Sequence, residues 1–166
     1  MSSSAHSRAV EPSSVLPRTA WQKVLSDTLV EVFSVMAGIE VTISSHEPIP
    51  SPHITGIVGI GGAIRAKLTL VCSDSFAAYL ASQMLAIPPD HPGSQKAACD
   101  ALGEICNIVA GYFKARVGLG DACMISVPTI INGRDYIVRS KNKDDIVDVA
   151  ASHNQQALLA SLEIAK

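Results

Sequence analysis

The sequence predicts an α+β fold in which long helices pack on an antiparallel β-sheet, built as two related halves. Three observations carry this expectation. Two long apolar periodicities of helical spacing, Arg18 to Ala37 and Ser94 to Val117, each precede a group of β-rich runs. Those runs are joined by Gly-Gly and Asn-Gly turn signals instead of βαβ crossovers. Helices and strands therefore segregate along the chain, in the same order twice. At 166 residues and 48% hydrophobic, there is material for one core and some tail.

Residues 1–16 are Ser- and Pro-rich without periodicity and are expected to form a disordered leader, with residues 17–166 as a single domain. Helix one, Arg18 to Ala37, repeats Val24, Leu25, Leu29, Val32, Phe33 and Met36 at threes and fours, with Thr19 offered as its N-cap and Gly38 just past its end. IEVTISS alternates as a strand, whereas the prolines of EPIPSP demand a loop. HITGIVGIGGAIRAKLTLVC reads as a hairpin turning at Gly61-Gly62; its glycine spacing matches neither a dinucleotide fingerprint nor a P-loop. Asp74 is expected to cap a short helix, FAAYLASQMLA, which Pro88-Pro89 ends.

The second long helix, Ser94 to Val117, leads into a strand ACMISVPTII and, through Asn132-Gly133, a return strand RDYIVRS. After the charged turn KNKDD, IVDVAAS and ALLASLEI are expected to close the sheet around SHNQQ. Leu158, Leu159 and Leu162 also suit a helix, but Leu158, Ala160, Leu162 and Ile164 alternate, which suits an edge strand packed on one face and open to self-association.

Composition excludes several classes of function. A net charge of −2 with no Lys/Arg cluster offers no footprint for nucleic acid or anionic lipid. No apolar run reaches the roughly 18 residues of a membrane span. The N-terminus lacks an apolar signal segment, and Cys72, Cys99, Cys106 and Cys123 form no CxxC pair, which together fit a reducing cytoplasm. Cys99 and Cys106 stand about 10 Å apart along a helix and cannot bridge. The cysteines and five histidines have no metal-ligand spacing, and no GxSxG elbow is present.

The candidate site is on the second long helix, where residues 100 to 111 read DALGEICNIVAG. At about 100° per residue, Ala98, Leu102, Ile105, Val109 and Phe113 share one arc, and Asp100, Glu104, Asn107, Gly111 and Lys114 the opposite one. Glu104 and Asn107, three apart, have neighbouring Cβ atoms. A merely solvated position would be better filled by Glu, Lys or Gln than by Asn. Gly111 costs about 0.5–1 kcal/mol relative to Ala and leaves a notch where another molecule can approach. Both residues look like stability given up for contact.

At these residues the sequence resembles the CheC/CheX/FliY chemotaxis phosphatases, and most closely the CheX branch. The family signature is an acidic or Ser residue, three residues, Glu, two residues, Asn, and a Pro about twenty residues on; here Asp100, Glu104, Asn107 and Pro128 match it. GIVGIGGAIRAKLTL is similar to the family's glycine-containing hairpin, NIVAG to the segment after the motif, and PTIINGRD to the strand-turn segment after the proline. The resemblance covers about residues 18 to 164.

The resemblance implies dephosphorylation of the aspartyl phosphate on a CheY-like response-regulator receiver domain. Asn107 would orient the attacking water, Glu104 would anchor the receiver's active-site lysine, and Asp100 would support the face or touch the partner's edge, with Gly111 and Lys114 continuing that contact. A neutral amide can hold water without repelling phosphoryl oxygens as a carboxylate would. Mg²⁺ would come with the receiver, no cofactor being the protein's own, and a homodimer is implied. The alternative is a non-catalytic receiver-binding or flagellar-switch-type scaffold. Helix one carries an echo of the motif, Asp27, Glu31 and Ser34. With Ser in place of Asn, that second site is expected to be inactive.

Overall fold

Residues 16–44, 48, 49, 51, 53–88, 90, 91, 93–139 and 146–165 are described by the computed structural model. The expected leader (apart from Leu16), parts of the Pro-rich loop and the charged turn lie outside them. The first periodicity folds as α1, Arg18–Ala37, and buries Trp21, Leu25, Leu29, Val32 and Phe33. Its last turn closes on Gly38 in the left-handed region (φ 64°), as the sequence indicates. The N-terminus differs: Pro17 is the capping position with no side-chain bond, and Thr19 lies inside the helix. Proline there fixes the entry φ and lacks an N–H that would go unpaired in any case.

The strands are β1 (Thr42–Ser44), β2 (His53–Gly62), β3 (Arg65–Ser73), β4 (Cys123–Ile125), β5 (Thr129–Gly133), β6 (Ile146–His153) and β7 (Gln156–Ala165). They form one antiparallel sheet in the order β1-β6-β7-β3-β2, with β4 and β5 both paired to β2. Exchanging β1–β3 for β5–β7 gives the same order read backwards, so each half lends its outer strand to the other's hairpin. Helix α2, Asp74–Leu85, follows β3. The long helix α3, Ser94–Arg116, follows it.

Four expectations are corrected. The first hairpin turns through Gly62, Ala63 and Ile64, one residue later than expected, since Gly61 still pairs with Arg65. Gly62 has positive φ (141°) and also serves a close approach: a Cβ there would fall 2.2 Å from the Ala122 carbonyl oxygen. Ser73, not Asp74, caps α2, its Oγ accepting from the Phe76 N–H at 3.2 Å. ACMISVPTII is two strands, because Pro128 has no N–H to give a ladder. The return strand does not form: residues 134–139 are irregular, and the Tyr136 hydroxyl is bonded to Thr55 Oγ1 at 2.8 Å and the Ile131 carbonyl at 3.1 Å.

The C-terminal strand is also not an edge. β7 lies between β6 and β3, and its Leu158, Ala160 and Leu162 face the helices from the middle of the sheet. Residues Ile54, Val58, Leu68, Leu70, Cys72, Val149 and Ala151 share that buried side. Burying each large side chain contributes about 1.5–3 kcal/mol. Rings join the helices across the core, Trp21 stacking on Phe113 at 5.4 Å and Phe33 on Phe76 at 6.0 Å.

Candidate functional site

Helix α3 sits in the core on the arc the sequence marks: Ala98, Leu102, Ile105, Val109 and Phe113 are all buried. The opposite arc faces out. Asp100 and Glu104 are exposed, while Asn107, Gly111 and Lys114 are half-buried. Among the described residues neither Glu104 nor Asn107 has a hydrogen-bond partner, and the Asn107 amide atoms keep solvent access. Asp100 accepts from Lys96 one turn back at 3.2 Å, an exposed pair. A Cβ added at Gly111 meets nothing within 4 Å, so the notch is open and the protein's own packing does not require a glycine there.

Lys114 departs from the expected role. Its Nζ donates to the Cys123 carbonyl oxygen at 2.7 Å, tying the end of α3 to β4. The proline of the motif is close by: Pro128 Cγ and Ile130 Cδ1 lie 3.6 and 3.5 Å from where a Gly103 Cβ would be. One side of the polar stripe is thus walled by the β4–β5 segment. On the other side an open groove of about 570 Å³ runs between α3 and α1, lined by Glu31, Ile108, Gly111, Tyr112, Ala115 and Arg116.

The echo on α1 is occupied by the protein itself. Lys23 pairs with Asp27 at 2.7 Å, Arg116 pairs with Glu31, and Ser34 Oγ donates to Glu40 at 2.8 Å. Where α3 leaves a carboxylate and an amide unengaged among the described residues, α1 has spent all three polar groups of its echo. Sequence reasoning did not find Arg116, whose partners Glu31 and Thr28 are more than 80 positions away. No local spacing signals such a pair.

Among the described residues no group of three or more His, Cys, Asp and Glu side chains could hold a metal ion. All four cysteines are free. Burial pushes the Cys72 thiol well above its ordinary range and the Cys106 thiol up to about 12, so neither is a nucleophile at neutral pH. Among the described residues no helix is long and apolar enough to cross a membrane.

The family model described as chemotaxis phosphatase CheX matches residues 54–150. Among solved structures, the chain is similar to the chemotaxis protein CheX of Vibrio vulnificus, at 20% identity and a TM-score of 0.75, covering 91% of this chain and 100% of that one. The CheX of Desulfovibrio desulfuricans gives 18% and 0.74, covering 88% and 99%. A CheX in complex with CheY, BeF₃ and Mg²⁺ from Borrelia burgdorferi gives 18% and 0.72, covering 88% and 98%. At these identities the structural likeness shows the fold. No curated protein matches the chain.

Proposed function

The chain belongs to the CheX family of chemotaxis phosphatases, and from that premise we propose that it hydrolyses the aspartyl phosphate of a CheY-like receiver domain through Glu104 and Asn107. The observation that carries this reading is the pair itself: a carboxylate and an amide three positions apart on a rigid helix, neither engaged by another of the described residues. Phosphoryl transfer asks mainly for positioning and charge placement, and an acyl phosphate brings a good leaving group. In this reading Asn107 reaches into the acyl-phosphate pocket and holds a water in line with the phosphorus. Glu104 pairs with the receiver's lysine and fixes the docking angle, while Asp100 and Gly111 complete the contact. Mg²⁺ stays with the receiver.

A phosphate-release assay against phosphorylated receivers tests it. Catalytic amounts of the chain should accelerate loss of phosphate, and Asn107→Ala should abolish the acceleration without lowering Tm, since Ala is the better helix former. Stoichiometric binding with an unchanged phosphate lifetime would replace this reading with the scaffold one.

Self-association in the cytoplasm belongs to the same proposal. It rests on the family resemblance and on the sheet face turned away from the helices, which carries half-buried Ile57, Val71 and Leu159. Light scattering at micromolar concentration should give a dimer mass; a monomer mass refutes it.

A further inference from the structure

Val127 is an apolar side chain held in the open by backbone that cannot withdraw it. It is 84% exposed. Just before it, the Ser126 N–H donates to the Gly59 carbonyl at 2.9 Å, and Ser126 Oγ accepts from the Gly59 N–H at 2.9 Å. The same hydroxyl donates to the Val127 carbonyl at 3.0 Å. Just after it, Pro128 packs against Gly103 of α3. A proline also confines the residue before it to extended backbone. A flexible loop would fold such a side chain down onto apolar surface; this one is clamped at both ends with its valine outward.

Its place relative to the candidate site follows from two contacts. Lys114 reaches Cys123, and Gly103 meets Pro128 and Ile130, so residues 123–130 run along α3 in the opposite direction. Asn107 is four positions after Gly103, about 6 Å along the axis at about 1.5 Å per residue. Ser126 and Val127 precede Pro128 by two and one positions, about 3–7 Å of extended chain. The clamped valine therefore comes alongside the turn that carries Asn107.

We propose that Val127 is a contact residue for the receiver, a fixed apolar knob that seats against an apolar part of the receiver surface bordering its acyl-phosphate pocket and sets which receivers bind. This rests on the Asn107 and Glu104 reading. Valine suits the role because it has few rotamers to lose on binding, so the contact forms with little ordering cost. A polar or charged surface opposite it would be rejected.

The experiment titrates the full chain with the CheY-type receivers of the same genome, each activated with beryllofluoride, and runs phosphate-release kinetics in parallel. Val127→Asp should weaken binding at least about tenfold. It should raise KM in the same proportion, keep kcat within about twofold, and leave Tm unchanged. Val127→Ile should bind like the original. Asn107→Ala should keep Kd and lose kcat. An unchanged Kd for Val127→Asp overturns the contact assignment and leaves the catalytic reading standing. An unchanged kcat for Asn107→Ala overturns the catalytic reading, while weak binding by Val127→Asp still upholds the contact. A chain that binds none of the activated receivers overturns both.

Discussion

Arg116, in the last turn of α3, pairs with Glu31 on α1, the residue that holds in the first helix the place Glu104 holds in the third. The same guanidinium donates to Thr28 Oγ1 at 3.2 Å, so one side chain of α3 clasps α1 at two points. A carboxylate committed in this way cannot also serve a partner's lysine. The polar faces of the two helices thus differ: the α1 face is paired within the protein, and Glu104 and Asn107 on α3 have no partner among the described residues.

Glu31→Gln should therefore leave receiver dephosphorylation within about twofold of the original. The pair is partly exposed and contributes about 0.2–1 kcal/mol, so Tm should fall by less than about 4 °C. Phosphate release and thermal melting on the same sample check both halves. A loss of activity as large as that of Glu104→Ala would mean that α1 carries a working site.

Gly111 should show the opposite balance. Its backbone is helical and a Cβ meets nothing within 4 Å among the described residues, so Gly111→Ala should stabilise by about 0.5–1 kcal/mol and raise Tm by about 1–4 °C. Affinity for an activated receiver should drop at the same time, and Gly111→Leu should bind more weakly still. Equal binding by all three would show that the notch receives nothing.

Much of this was legible because it is local. The stripe on α3 is a matter of 100° steps, and the buried arc from Ala98 to Phe113 follows from it without knowledge of the partner elements. Alternation in the last strand showed correctly that Leu158, Ala160 and Leu162 face one way, yet it holds no information about which backbone edges are paired; β7 is central because β3 and β6 both find it. The Tyr-Ile-Val run after β5 has strand propensity, but the Tyr136 hydroxyl gains three oxygen neighbours by folding beneath Thr55, and that contact spans 81 positions. Clamped Val127 was equally invisible, since its restraint comes from Gly59, across the sheet.

Gly56 is a position where the packing does require glycine. A Cβ there would lie 2.3 Å from Cys106 Sγ, so Gly56→Ala should cost about 1–3 kcal/mol by overpacking. Cys106→Ala removes the obstructing atom and should recover a large share of that loss in the double variant, the signature of direct coupling. Gly103→Ala is the control: its Cβ would meet Ile130 and Pro128 at ordinary contact distances, 3.5 and 3.6 Å, so Tm should rise by about 1–4 °C as at Gly111 and not fall. Additive losses at Gly56 and Cys106 would contradict the close approach.

The same buried thiols predict an alkaline limit to stability. Burial pushes the Cys106 thiol from 9.0 up to about 12, against a smaller lowering by a bond with the Leu70 backbone, and Cys72 is raised by burial and by the Cys106 and Asp74 charges. Below pH 9 both folded and unfolded chains keep these protons and the thiols add no pH dependence. Between pH 9 and about 12 the unfolded chain releases them while the folded one retains them, so the folded state binds more protons and stability falls as pH rises. Each thiol then removes about 1.4 kcal/mol per pH unit. Denaturant titrations from pH 8 to 11 should show this slope, made shallower by Cys106→Ala. Thiol labelling at pH 8 should reach half-buried Cys99 well before the other three cysteines, which are buried. Early labelling of Cys106, or stability that is flat above pH 9, would mean that the thiols are not sealed between α3 and the sheet.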